Sequence, residues 1–150
     1  MRIWRHAALL AGFFSGIFEL NAVCLRYIDA SKESVAALEQ VNDRTESLRN
    51  LAFTDLTSTS YVQTAMGTAA NTSDFCKKAT ETVKIRAYPT ANGITQFTRT
   101  PDGTVSVDST ATSLGSTLVQ VDVSTTWNLS LGQRGRSEQV STIISNGTKK

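Results

Sequence analysis

One histidine, His6, and two cysteines, Cys24 and Cys76, leave this 150-residue chain little from which to build a reactive centre. Serine and threonine make up about a quarter of the residues and crowd the part after residue 53, but no imidazole there could serve those hydroxyls as a base. No His/Cys/Asp/Glu group has metal-ligand spacing, and no glycine-rich phosphate loop is present. Asp102 and Asp108 flank a hairpin sequence without the dense oxygen ligands of a calcium loop, so a turn-forming role is expected of them. The chain does not read as an enzyme, and no catalytic residue, cofactor or metal is expected. Charge of one sign is also lacking. The net charge of +2 gives no basic field for nucleic acid, and Lys149 with Lys150 is too short a basic tail to change that.

Proline and glycine are absent from residues 27–53, so nothing there interrupts a helix. Upstream, Arg2, Arg5 and His6 precede AALLAGFFSGIFELNAVCL, residues 7–25. As a helix those residues span about 28 Å, close to the hydrocarbon thickness of a bilayer. The basic flank predicts a cytoplasmic N-terminus. Glu19 and Asn21 are out of place in so apolar a run, and three readings of it stand open: a signal peptide cut near Ala22, a plain anchor, or a helix that packs against copies of itself.

Beyond Arg26, the residues Ile28, Val35, Leu38, Val41, Leu48 and Leu51 recur at three- and four-residue steps and mark one apolar stripe. Glu39, Asp43, Arg44, Glu46 and Arg49 are assigned to the other faces, with Glu46 and Arg49 spaced to pair. One continuous helix over 1–53 is expected. Cys24 would then lie tens of Å from Cys76, too far for the roughly 7 Å Cα separation a disulfide allows.

After residue 53 the period changes. A short helical turn is expected around 61–66. TVKIRAY alternates and ends at Pro89, and GITQFTRT-PDG-TVSVDS reads as a hairpin turned by Pro101, Asp102 and Gly103. The clearest strand is TLVQVDVSTTWNLSL, with Val119, Val121, Val123 and Trp127 on one face and Gln120, Asp122, Ser124 and Asn128 on the other. GQRGR turns the chain into a last strand, SEQVSTIIS. A sheet with one apolar face needs a cover. The stripe over 28–51 is the long one on offer, so Val35, Leu38 and Leu48 are expected to pack on Val121, Val123 and Trp127. On this arrangement Leu38→Asp unfolds the head by burying an unpaired charge.

The fold class is therefore α+β: a long N-terminal helix over 1–53, with a membrane or filament-core segment near 7–25, packed on a small antiparallel head over 54–150. The basic start, apolar half-helix, amphipathic half-helix and small antiparallel sheet together resemble the type IV pilins and pseudopilins. ASKESVAALEQVNDRTESLRNLAF resembles the helix of many prepilin-like proteins, with an exit formed here by Glu46, Leu48, Arg49, Leu51 and Phe53. VQVDVSTTWNLSLGQRGRSEQVSTIIS resembles their closing strand pair. The start departs from the family pattern. Gly12-Phe13 is followed by Glu19 at the seventh place, later than the family's acid, while counting back from Phe53 puts a mature start near Met1 and Arg5 where the family has its Glu.

The resemblance implies a structural subunit of a pilus-like filament or a secretion pseudopilus. Such a subunit is held as a single-pass inner-membrane protein, head outside the cytoplasm, before assembly. The alternative is a permanently anchored envelope protein whose sheet binds a partner. The implied partners are copies of itself or other pilin-like subunits, inner-membrane lipid and an assembly machinery, and no nucleic acid. Glu19, Asn21, Arg5, Phe13, Phe14 and Phe18 are the residues expected to pack helices together. In a filament Glu19 and Asn21 would bond neighbouring helices; in an anchor both would reach the outer headgroups.

Overall fold

In the computed structural model the described residues are 2–129 and 134–147, with residues 2–9 and 11 described as helix backbone alone. The element order is α1 (Arg2–Arg49), α2 (Phe53–Leu56), α3 (Thr59–Gly67), a 3-10 turn (Asp74–Lys77), then β1 (Thr80–Ala87), β2 (Thr95–Arg99), β3 (Val105–Ser109), β4 (Leu118–Asn128) and β5 (Gly135–Ser145). The strands form one sheet in the order β3-β2-β1-β4-β5, and all its pairings are antiparallel. The fold is thus α+β, a long N-terminal helix on a five-stranded antiparallel sheet. α1 stops at Arg49, four residues short of the expected exit. The chain tightens there, with Leu51 N–H donating to the Leu48 carbonyl, and Ala52 turns extended before α2 begins.

The hairpin follows its sequence. Gly103 takes φ +90°, its N–H donates to the Thr100 carbonyl, and the Asp102 carboxylate accepts from Thr104 N–H at 3.0 Å. Glycine tolerates that dihedral at no steric cost, and Asp fixes the turn from its own side chain.

One face of the sheet is dry. Val83 pairs with Phe97 on one side and Val123 on the other, and Ile85 pairs with Val121. These residues join Val41, Leu48, Leu56, Val62, Met66 and Val119 in the main core. Each such side chain contributes about 1.5–3 kcal/mol by leaving water. A second cluster holds Ala37, Phe75, Ala79 and Trp127, with the Phe75 and Trp127 rings edge to face at 5.3 Å. The cover is shared. α1 lies against β4 and β5, while α3 lies against β2 and β3. The expectation of a single helical lid is corrected accordingly: Val62 and Met66 of the short α3 complete it.

Leu48, Val121, Val123 and Trp127 are buried as expected. Val35 and Leu38 are not, at 55% and 47% exposed. The packed face of α1 is Ala37, Gln40, Val41, Arg44, Thr45 and Leu48. Val35 precedes Arg44 by nine residues, about two and a half turns, and so points away from the sheet. Arg44, which the sequence placed on a wet face, is only 2% exposed. Glu46 and Arg49 do pair, at 2.8 Å on the surface.

These positions separate in a denaturation experiment. Leu48→Ala is expected to cost about 2–5 kcal/mol, as a cavity in a filled core. Leu38→Asp, expected from the sequence to unfold the head, should shift stability by about 0.5 kcal/mol or less because its side chain meets solvent. Urea unfolding of both variants, followed by tryptophan fluorescence, checks the assignment; a large loss from Leu38→Asp would reverse it.

Candidate functional site

Two parts of α1 differ in what they touch. Residues 37–48 pack on the sheet. Toward the N-terminus the helix leaves the head, and Leu10, Phe13, Phe14, Ile17, Phe18, Leu20, Val23 and Leu25 are all exposed, Phe18 at 71%. The protruding stretch from 10 to 25 is about 22 Å long. So large a run of apolar surface marks a contact with lipid or protein. Glu19 and Asn21 are exposed within it, and among the described residues neither finds a hydrogen-bond partner in its own chain. Phe13, Phe14 and Phe18 lie beside them on the same uncovered segment, and the Phe13 and Phe14 rings meet edge to face. The Arg5 side chain lies outside the described residues, as do the side chains of 7–9 and 11 in the expected apolar run. Among the described residues no helix is long and apolar enough to cross a membrane.

The head ends where this segment begins. β5 runs alongside the packed half of α1, and a cleft marks each end of the contact. At the far end a cleft of about 430 Å³ lies between residues 49–54 and 144–147. At the near end a cleft of about 360 Å³ lies between Val23, Arg26, Tyr27, Asp29, Ala30 and Glu33 of α1 and Leu129, Arg134 and Arg136 of the β4–β5 hairpin. The hairpin thus reaches down the helix to the level where its apolar half starts.

What holds the helix in this setting is a buried ion pair. Arg44 Nε donates to Glu81 Oε1 at 2.7 Å and Nη2 donates to Oε2 at 3.1 Å. The same guanidinium donates through Nη1 to the Ala65 carbonyl at 3.2 Å and through Nη2 to the Thr68 carbonyl at 2.7 Å. It therefore closes the C-terminal end of α3, where a cation complements the helix carbonyls. Glu81 is fully buried on the central strand, opposite Arg99 on β2 and Thr125 on β4. Leaving either charge alone in so dry a place costs about 3–5 kcal/mol, though the intact pair is no stronger than good apolar packing. Sequence reasoning missed this pair. The signal was present: Glu81 shares strand parity with Val83 and Ile85, and Arg44 sits three residues after Val41 and four before Leu48.

The outer face of the sheet is polar. Asp108 accepts from Thr98 and Ser106 hydroxyls and from Gln96 Nε2, and those bonds, Thr98 first, hold its carboxyl below the usual value. Asp102 is likewise lowered by Thr100 and Thr104. Both carboxylates stitch the β2–β3 hairpin together. Among the described residues no three His, Cys, Asp or Glu side chains gather in a way that could hold a metal ion. Cys24 is exposed, Cys76 is buried, and both are free thiols.

The chain matches no known family model, no curated protein and no solved structure.

A group lowered by folding contributes stability that is present above its unfolded pKa of about 3.9 and is lost as the pH falls through the folded value. Asp108→Asn is therefore expected to be less stable than wild type at pH 7, with the difference closing as the pH is lowered from about 5 to 2. Urea midpoints across that range check the sign; a gap that persists unchanged in acid would remove the carboxylate from the account.

Proposed function

We propose that this chain is a structural subunit of a pilus-like filament or secretion pseudopilus, resembling the type IV pilins. The bilayer holds it by the apolar half of α1 before assembly, with the head on the outer side. One observation carries the reading. The two halves of a single unbroken helix have opposite surroundings, one packed under a small antiparallel sheet and the other projecting with every described large apolar side chain exposed. A helix of that kind is a handle. Lipid covers it in storage, and helices of other copies cover it in a polymer.

Glu19 and Asn21 favour the polymer as the handle's destination. Both lower the apolarity of the run, and a carboxylate inside a bilayer is costly and marks function. Between helices from several subunits each gains a hydrogen-bonding partner, with Asn21 or the basic start of a neighbour (Arg2 or Arg5) as the donor to Glu19. Phe13, Phe14 and Phe18 supply the apolar contacts around them.

The test uses one residue with two readouts. Glu19→Leu removes the charge and is expected to leave membrane-fraction abundance equal or higher, since an acid in a transmembrane segment opposes insertion by up to about 3 kcal/mol. It should lower the yield of sheared surface filaments, and Glu19→Gln should lower it less. Immunoblots of the membrane and sheared fractions report both. Full filament yield from Glu19→Leu would remove this residue from assembly. Absence of any filament from wild type, with the protein retained in the membrane, would favour a permanently anchored envelope protein whose head binds a partner.

A further inference from the structure

The rim of the head that faces the apolar half of α1 is basic. Arg26 comes from the helix, and Arg134 and Arg136 come from a hairpin more than a hundred residues later in the chain, yet all three line one cleft and all are exposed. Two carboxylates, Asp29 and Glu33, share the cleft. Their placement is ordered, because both lie on the head side of Arg26, roughly 4.5 and 10 Å further along the helix axis. Moving along the helix from Leu25 toward the head, the first charge met is Arg26, then Asp29 and Glu33, and the hairpin arginines line the same cleft. Tyr27 lines the same cleft and is 75% exposed. Tyrosine at such a boundary suits the interface between lipid and water.

We propose that Arg26, Arg134 and Arg136 form a collar that seats the head on the headgroups of an anionic bilayer. Guanidinium is weakly hydrated and binds phosphate through a planar pair of N–H donors, which fits it to lipid phosphate better than an ammonium would be. Each arginine near an anionic surface raises binding about fivefold. The collar fixes how far the helix sinks and holds the head upright at the membrane until a neighbouring subunit takes over the helix. It rests on the membrane-held reading above.

The full chain, with Cys24→Ser and Ser137→Cys, is labelled at position 137 with a fluorophore. It is reconstituted into vesicles of phosphatidylcholine alone or with one part in three phosphatidylglycerol, each containing a headgroup-quenching lipid. Position 137 lies next to Arg136 on the exposed hairpin. Quenching is expected to be stronger in the anionic vesicles and to weaken with salt. Arg134→Gln with Arg136→Gln should lower the docked population by about 25-fold, and the paired lysine substitutions should restore most of it. Equal quenching in neutral and anionic vesicles, or quenching unchanged by the glutamine pair, overturns the collar while leaving the membrane-held reading intact. Release of the wild-type chain from vesicles by alkaline extraction overturns that reading, and the collar falls with it.

Discussion

The rotation of one helix about its own axis decides what this protein presents to its surroundings, and the Arg44–Glu81 ion pair sets that rotation. Apolar residues occur on several sides of α1 between 28 and 48, so hydrophobic burial alone would accept more than one setting. A buried guanidinium is less tolerant. Its N–H groups meet the Glu81 carboxylate and the carbonyls of Ala65 and Thr68 together, so turning the helix about its axis breaks all of these bonds at once. Buried charge of this kind contributes little net stability against apolar packing. We assign it the role of specifying one arrangement among near-equals.

Several features follow from that setting. Ala37 comes to face Trp127, where its small side chain leaves room for the indole and for Phe75. Val41 and Leu48 enter the main core. Ile28, Val35 and Leu38 are turned outward, which extends the exposed apolar surface of the projecting half into the region of the head. The same guanidinium ends α3, so the small helix that covers β2 and β3 is placed by the residue that places the large one. The β4–β5 hairpin then runs beside α1 and brings Arg134 and Arg136 into one cleft with Arg26, Asp29 and Glu33.

The parts of this arrangement that depend on local chemistry were legible in the sequence. The uninterrupted helix beyond Arg26 follows from the lack of glycine and proline over 27–53, the β2–β3 turn from Pro101, Asp102 and Gly103, and the inward face of β4 from strict alternation through Val119, Val121, Val123 and Trp127. The phase of α1 was not. Counting apolar residues at three- and four-residue steps joins Val35 and Leu38 to Val41 and Leu48 because a stripe a third of the helix wide has blurred edges. The deciding residue was charged and was therefore assigned to water. Its partner Glu81 belongs to a strand nearly forty positions later, and pairing at that distance leaves no periodic trace. The sharing of the cover with α3 was hidden for a similar reason, since nine residues are too few to show a clear face. The run with Glu19, Asn21, Phe13, Phe14 and Phe18 read as apolar in the sequence, and the structure leaves all five side chains exposed; what covers them belongs to the proposed function.

The rotational setting of α1 can be read directly by cysteine accessibility. Single cysteines at positions 35, 37, 38 and 41 in a chain carrying Cys24→Ser are modified by a water-soluble maleimide under native conditions, with and without Arg44→Met. With Arg44 in place, rapid modification is expected at 35 and 38 and strong protection at 37 and 41. With Arg44→Met the contrast between the two pairs should shrink while the chain stays folded by far-UV circular dichroism. Protection at 35 and 38 with modification at 37, or a contrast unchanged without Arg44, would contradict the claim that this ion pair orients the helix.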